Sequence, residues 1–130
     1  MQHQIIFTTD APAPIGPYSQ AVRLHHTLYV SGQIALHPQT GNMMQEDIQQ
    51  ETRQVMENVC AILRAAGTST SQIVKTSIFL LDMTDFAAVN EVYASYFKSH
   101  APARETIQVA RLPKDARVEI SVIAYCPDSP

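Results

Sequence analysis

The spacing of apolar and polar residues changes period along this chain, and each change marks an element. AVRL at 21 to 24 and TLYVSGQI at 27 to 34 are rich in strand formers and meet at the polar pair His25 and His26, which predicts a hairpin. From Asp47 the period lengthens. Ile48, Val55, Val59, Ile62, Leu63 and Ala66 recur at helical spacing through DIQQETRQVMENVCAILRAA, and Gly67 supplies a C-terminal stop. IVKTSIFLL at 73 to 81 is apolar at most positions and β-branched, which predicts a strand covered on both faces. A second helix opening near Thr84 or Asp85 would set Phe86, Val89, Tyr93 and Phe97 along one face, where the aromatics suit a core, with Asp85 near its positive end. ARETIQV and RVEISVIAY read as two further strands about ARLPKDA, whose Pro113 and Asp115 favour a turn.

The order β β β α β α β β predicts an α+β fold, a mixed sheet with both helices against one face. At 130 residues and 45% hydrophobic content, with no repeat and no linker, one domain over 1–130 is expected. In RVEISVIAY, Val118, Ile120, Val122 and Ala124 point one way, and Glu119, Ser121, Ile123 and Tyr125 the other. In ARETIQV, Arg104, Thr106 and Gln108 oppose Ile107 and Val109. If Val118, Ile120, Ile107 and Val109 meet the helices, the helix-free face carries Arg104, Thr106 and Glu119 together with Ile123 and Tyr125. A face so mixed suits a subunit interface.

Charge narrows the partners. The formal net charge is −3, and the nine Lys and Arg are spread singly, so no basic stripe is present to follow a nucleic acid backbone. No stretch approaches the roughly 18 apolar residues of a membrane span, and the N-terminus lacks a basic and an apolar leader region, so a soluble, unexported protein is expected. Cys60 and Cys126 form no CxxC pair and fit free thiols in a reducing compartment, which predicts the cytoplasm. Cys60, inside the amphipathic helix, is expected to pack as a small hydrophobe. The five His residues have no metal-binding spacing, and there is no GxGxxG, GxxxxGK[ST] or GxSxG motif.

A few polar residues remain as candidates for chemistry. Arg104 offers a planar fork that matches a carboxylate bidentately, and Glu119 on a partly dry face would have a raised pKa suited to proton exchange. The two could equally be a structural ion pair, and alternation alone leaves both readings open. Tyr18 follows Gly16 and Pro17 in a constrained loop and either orients a ligand through its hydroxyl or simply packs. Ser31 and Gly32 end a strand, where Gly permits close backbone approach to an anion or marks a plain bulge.

GPYSQAV at 16 to 22, SGQI, TGNM, NVCAILRAAG, IVKTSIFLLDMTDFAAVNEVY and PARETIQVARLPKDARVEIS resemble, in order, segments of the Rid (YjgF) family of imine/enamine deaminases. The resemblance covers nearly the whole chain. It implies a chorismate-mutase-like fold, trimerising into a central barrel with sites in clefts between neighbouring subunits. It also implies hydrolysis of 2-imino acids, or their enamine tautomers, to 2-keto acids and ammonia, such intermediates leaking from pyridoxal-phosphate enzymes like threonine dehydratase. By motif, Arg104 would bind the substrate carboxylate, Glu119 would activate water, and Tyr18, Ser31, Gly32, Thr106 and Asn90 would complete the binding set. No cofactor or metal is implied, and the expected partners are the small substrate and two further copies of the chain. Thr106 stands where many deaminating members have Cys, and the loop KSHAP before Pro102 is short and lacks an aromatic residue. A binding module that senses small carboxylates, and an endoribonuclease, are the alternatives from other functional classes.

Overall fold

A computed structural model describes residues 3–128. Its six strands are β1 (Gln4–Ile6), β2 (Ala21–Leu24), β3 (Thr27–Gln33), β4 (Ile73–Leu80), β5 (Ala103–Gln108) and β6 (Val118–Tyr125), ordered β1-β2-β3-β6-β4-β5 in a single sheet. All pairings are antiparallel except β4 with β5. The helices are α1 (Ile48–Ala65) and α2 (Phe86–Ala94). The mixed sheet with two helices is therefore as the sequence order predicts.

The local signals explain most boundaries. His25 takes a left-handed φ of 56°, which closes the β2–β3 hairpin between Leu24 and Thr27. Asp47 caps α1 by accepting the Gln50 N–H at 2.7 Å. Gly67, at φ +80°, ends it: Thr68 N donates to Leu63 O and Gly67 N to Arg64 O, the paired bonds of a Schellman turn. α1 lays Val55, Met56, Val59, Ile62 and Leu63 into a core shared with Val118, Ile120, Val122 and Ala124 of β6. Cys60 lies half-buried on this helix, and burial, with Glu57 adding, pushes its thiol pKa up to about 11.

Two expectations need correction. β4 is covered on one face only within the chain: Ile73, Thr76, Ile78 and Leu80 are buried, whereas Val74 is 55% exposed. A bulge between Ile73 and Lys75 turns Val74 outward, so part of the apolar run faces solvent. The second helix begins at Phe86 with Asp85 at its N-cap, as expected, after a 3-10 turn over Met83–Asp85 that Asp82 caps through Thr84 N at 2.9 Å, and the correction concerns its far end. Phe97 lies beyond the helix, although its ring meets Tyr93 at 4.8 Å. Tyr93 alone of the three helix-face aromatics is buried, its hydroxyl donating to Thr76 Oγ1 at 2.8 Å.

Candidate functional site

Register decides where the candidate residues stand. Thr76 of β4 lies opposite Arg104 of β5, and Ile78 lies opposite both Thr106 of β5 and Ile120 of β6. Laterally paired residues share a face, so Arg104 and Thr106 belong to the helix side of the sheet. Phe79, paired with both Ile107 and Glu119, belongs to the other. Arg104, Thr106 and Glu119 therefore do not share the helix-free face, contrary to the expectation from alternation. Alternation groups residues within a strand but does not say which group meets the helices. Ile107 was assigned inward because it is apolar, yet it is 49% exposed. Val109 packs outside the main core, against a small cluster of Ile34, Leu36, Leu112 and Ala116.

On the helix side, the Arg104 guanidinium lies 5.5 Å from the Phe86 ring centroid and 5.2 Å from that of Tyr93. The two rings hold a planar cation by its faces and leave its N–H edges for a partner. Burial raises the Tyr93 pKa, while the Thr76 hydrogen bond and the Arg104 charge act against it. Arg104 lines an open groove of about 430 Å³ with Asn90, Tyr93, Phe97, Lys98 and His100. Among the described residues it forms no ion pair. Thr106 Oγ1, two positions along the same strand face, is buried without a hydrogen-bond partner.

On the other side, Glu119 lines a cavity of about 320 Å³ with Pro12, Ile15, Tyr18, Ser31 and Gly32. Burial raises its carboxyl pKa above the ordinary glutamate value. It too has no ionic partner among the described residues. The structural ion pair with Arg104 that the sequence left open is not formed. Ser31 and Gly32 occupy a bulge between Val30 and Gln33, where β3 carries one extra residue against β6. The bulge is more than an irregularity: a Cβ on Gly32 would stand 2.8 Å from Glu119 Cδ, so only glycine leaves the carboxyl its place. The Ser31 hydroxyl donates to Ser19 O at 2.6 Å. Tyr18 is braced by its own loop, with Ile15 N donating to its hydroxyl at 3.2 Å.

Two supports escaped the sequence reading. Gln20 is buried, accepts from Thr8 N at 2.8 Å, and donates to Pro12 O at 2.8 Å and Thr8 O at 3.0 Å, pinning the loop that walls the cavity. Nothing in its pattern signals this. Glu51, fully buried on α1, takes Arg117 Nε and Arg117 N, each at 2.7 Å, and so fixes the chain two residues before Glu119. Here a signal exists, since Glu51 falls on the apolar stripe between Ile48 and Val55. Among the described residues no group of three His, Cys, Asp or Glu side chains could hold a metal ion, and no helix is long and apolar enough to cross a membrane.

The family model described as Endoribonuclease L-PSP matches residues 8–126. The chain belongs to this family, the Rid (YjgF) family. A RutC family protein of Pyrococcus horikoshii is 52% identical over 122 residues, covering 94% of this chain and 97% of its own length. A mouse relative named 2-iminobutanoate/2-iminopropanoate deaminase is 48% identical over 121 residues, covering 93% of this chain and 90% of its own. The crystal structure of TdcF from E. coli with bound serine superposes with a TM-score of 0.91 at 46% identity, over 94% of this chain and 98% of that one. In this Rid family chain the two halves of the candidate site thus sit on opposite faces of one sheet.

Proposed function

We propose that this chain hydrolyses 2-imino acids to 2-keto acids and ammonia at a site completed between copies. The groove of one copy supplies Arg104, and the cavity of the next supplies Glu119. The observation that carries this reading is that both charges lack ionic partners among the described residues and lie on opposite faces of the sheet. A buried or half-buried charge without a partner is costly unless a ligand supplies one. The mouse relative's name and the serine in TdcF, a small α-amino carboxylate, support the substrate class.

In this scheme the substrate carboxylate takes the Arg104 fork, with Asn90 and the Thr106 hydroxyl beside it and Tyr18, Ser31 and Gly32 closing the opposite wall. Glu119 accepts a proton from water as the water oxygen attacks the imine carbon, and the C=N electron pair moves to nitrogen. Starting from the iminium form, the neutral carbinolamine so produced takes that proton from Glu119 on nitrogen, and as the C–N bond breaks and ammonia leaves, the C=O forms and Glu119 accepts the hydroxyl proton. An enamine first gains a proton on carbon to become the imine. A raised pKa suits Glu119 to both transfers.

The helix-free face supports assembly. Ile5, Tyr29, Ile107 and Tyr125 are exposed on it, an apolar surface for other copies to cover. A homotrimeric, chorismate-mutase-like barrel acting in the cytoplasm is the assembly we favour. Cleavage of RNA is less well supported, because the scattered cations of an acidic chain offer no track for a phosphate backbone.

The test adds the protein to threonine dehydratase with threonine and semicarbazide, which traps the free imine. Wild type should speed keto-acid release and lower the semicarbazone yield, and Arg104→Ala should do neither. Lack of acceleration by wild type, or full acceleration by Arg104→Ala, overturns the proposal.

A further inference from the structure

The groove that holds Arg104 carries more basic character than a single substrate carboxylate requires. Of its lining side chains, Lys98 is a cation, His100 becomes one on protonation, and Arg104 is always charged. No Asp or Glu lines it. The nearest carboxylate along β5, Glu105, points to the other face, where it pairs with Lys75 at 3.4 Å and accepts from Ser77 Oγ at 3.2 Å. Lys98 forms no ion pair among the described residues. The Ser99 hydroxyl lies 3.1 Å from His100 Nδ1 and restrains the imidazole at the groove. The short KSHAP loop, with no aromatic residue before Pro102, thus places two basic side chains beside the arginine.

We infer that this groove selects imino acids bearing a second acidic group, with Lys98 and His100 as the specificity-determining residues. The inference rests on the imine-hydrolysis reading above and names the substrate class of that same site. One carboxylate of the substrate takes the Arg104 fork, and the side-chain acid takes Lys98 and His100. An exposed ammonium close to a carboxylate changes binding by a modest factor, roughly fivefold at 4 Å in water. Lys98 supplies that factor, and a hydrogen bond from His100 adds to it. Because both are exposed, added salt should erode the preference.

The test compares two probes generated in place by amino-acid oxidases: 2-iminosuccinate from aspartate and 2-iminopropanoate from alanine, each in competition with semicarbazide. The readout is the ratio of enzyme-accelerated hydrolysis of the acidic imine to that of the neutral one. Wild type should favour 2-iminosuccinate. Lys98→Ala should lower the ratio about fivefold, His100→Ala should lower it less, Lys98→Glu should lower it further than Lys98→Ala, and Lys98→Arg should keep it. A wild type that hydrolyses only 2-iminopropanoate, or a ratio unmoved by Lys98→Glu, overturns the inference and leaves the imine-hydrolysis reading standing. Acceleration of neither imine overturns both.

Discussion

If Arg104 and Glu119 act together across a boundary between copies, two inactive variants should rescue each other. Arg104→Ala spoils the groove and keeps the cavity, and Glu119→Gln does the reverse. Each alone should lose on the order of 10²-fold in kcat/KM, the usual cost of removing one charged partner from a desolvated site. In a ring of copies, every site joins one copy's groove to the next copy's cavity. Random mixing of equal amounts leaves half the grooves and half the cavities intact, so about a quarter of all sites regain both groups, whatever the ring size. Coexpressing the variants with different tags and purifying through both tags removes the homo-oligomers. In a trimer that holds both variants, one site of the three is then whole, which predicts about a third of wild-type activity. The measurement is semicarbazone competition on the doubly purified protein. A mixed oligomer no more active than the mean of its parents would refute the split site. The face assignment explains why an intramolecular site is not an alternative: the sheet itself lies between the two side chains.

Glu51→Ala should destabilise the fold by about 3 kcal/mol, near the low end for breaking a buried pair because Arg117 keeps a third of its side chain in water. For a chain of this length that corresponds to a fall in Tm of about 11 °C, checked by thermal melts at fixed protein concentration. Glu51→Gln keeps an acceptor for the Arg117 N–H and should lose less; a loss under about 0.5 kcal/mol for the alanine variant would count against the clamp. For Glu119 the folded pKa lies above the unfolded one, so its protonated form is favoured by folding. Its stability contribution is present below the unfolded pKa and is lost as pH rises through the folded value. Glu119→Gln should therefore melt above wild type near pH 7, with the gain shrinking as the pH is brought down toward about 4. Wild-type turnover should fall on acidification with a midpoint above the ordinary glutamate range, and equal melting of the two proteins at both pH values would contradict the assignment.

Much of the fold was legible because its signals are local. The change of period at Asp47, the Gly67 stop and the His25–His26 turn each act within a few residues, and the structure places a helix start, a helix end and a hairpin there. The face of β5 was not legible. Whether Arg104 or Ile107 meets α2 depends on which strands flank β4 and in which register, and that information lies in no single segment. Apolar character pointed the wrong way because Ile107 faces a surface suited to another copy rather than to the helices of its own chain. The residues of the candidate site, by contrast, were named from the motif resemblance. Tyr18, Ser31, Gly32 and Glu119 do converge on one cavity, and Asn90 and Arg104 on one groove.

The supports of Glu119 point to a carboxylate held in place against its own preference for water. Gly32 removes the side chain that would displace it, Gln20 ties down the loop opposite, and Glu51 anchors Arg117 at the entry to β6. The hydrogen bonds among them are partly buried, and none involves Glu119 directly as a partner. A structural carboxylate would be expected to show the opposite arrangement, bonded itself and surrounded by replaceable neighbours. In the reaction proposed above, such a shell around a half-buried acid would fix the proton acceptor before the substrate arrives and leave little reorganisation to the chemistry. Arg104 is prepared in the same way from the other face, its plane set by Phe86 and Tyr93 while its edges remain unpaired. Two charges of opposite sign, unpaired among the described residues and separated by a sheet, can meet one ligand only if a second copy brings its groove to the first copy's cavity, which is why the proposed activity requires assembly.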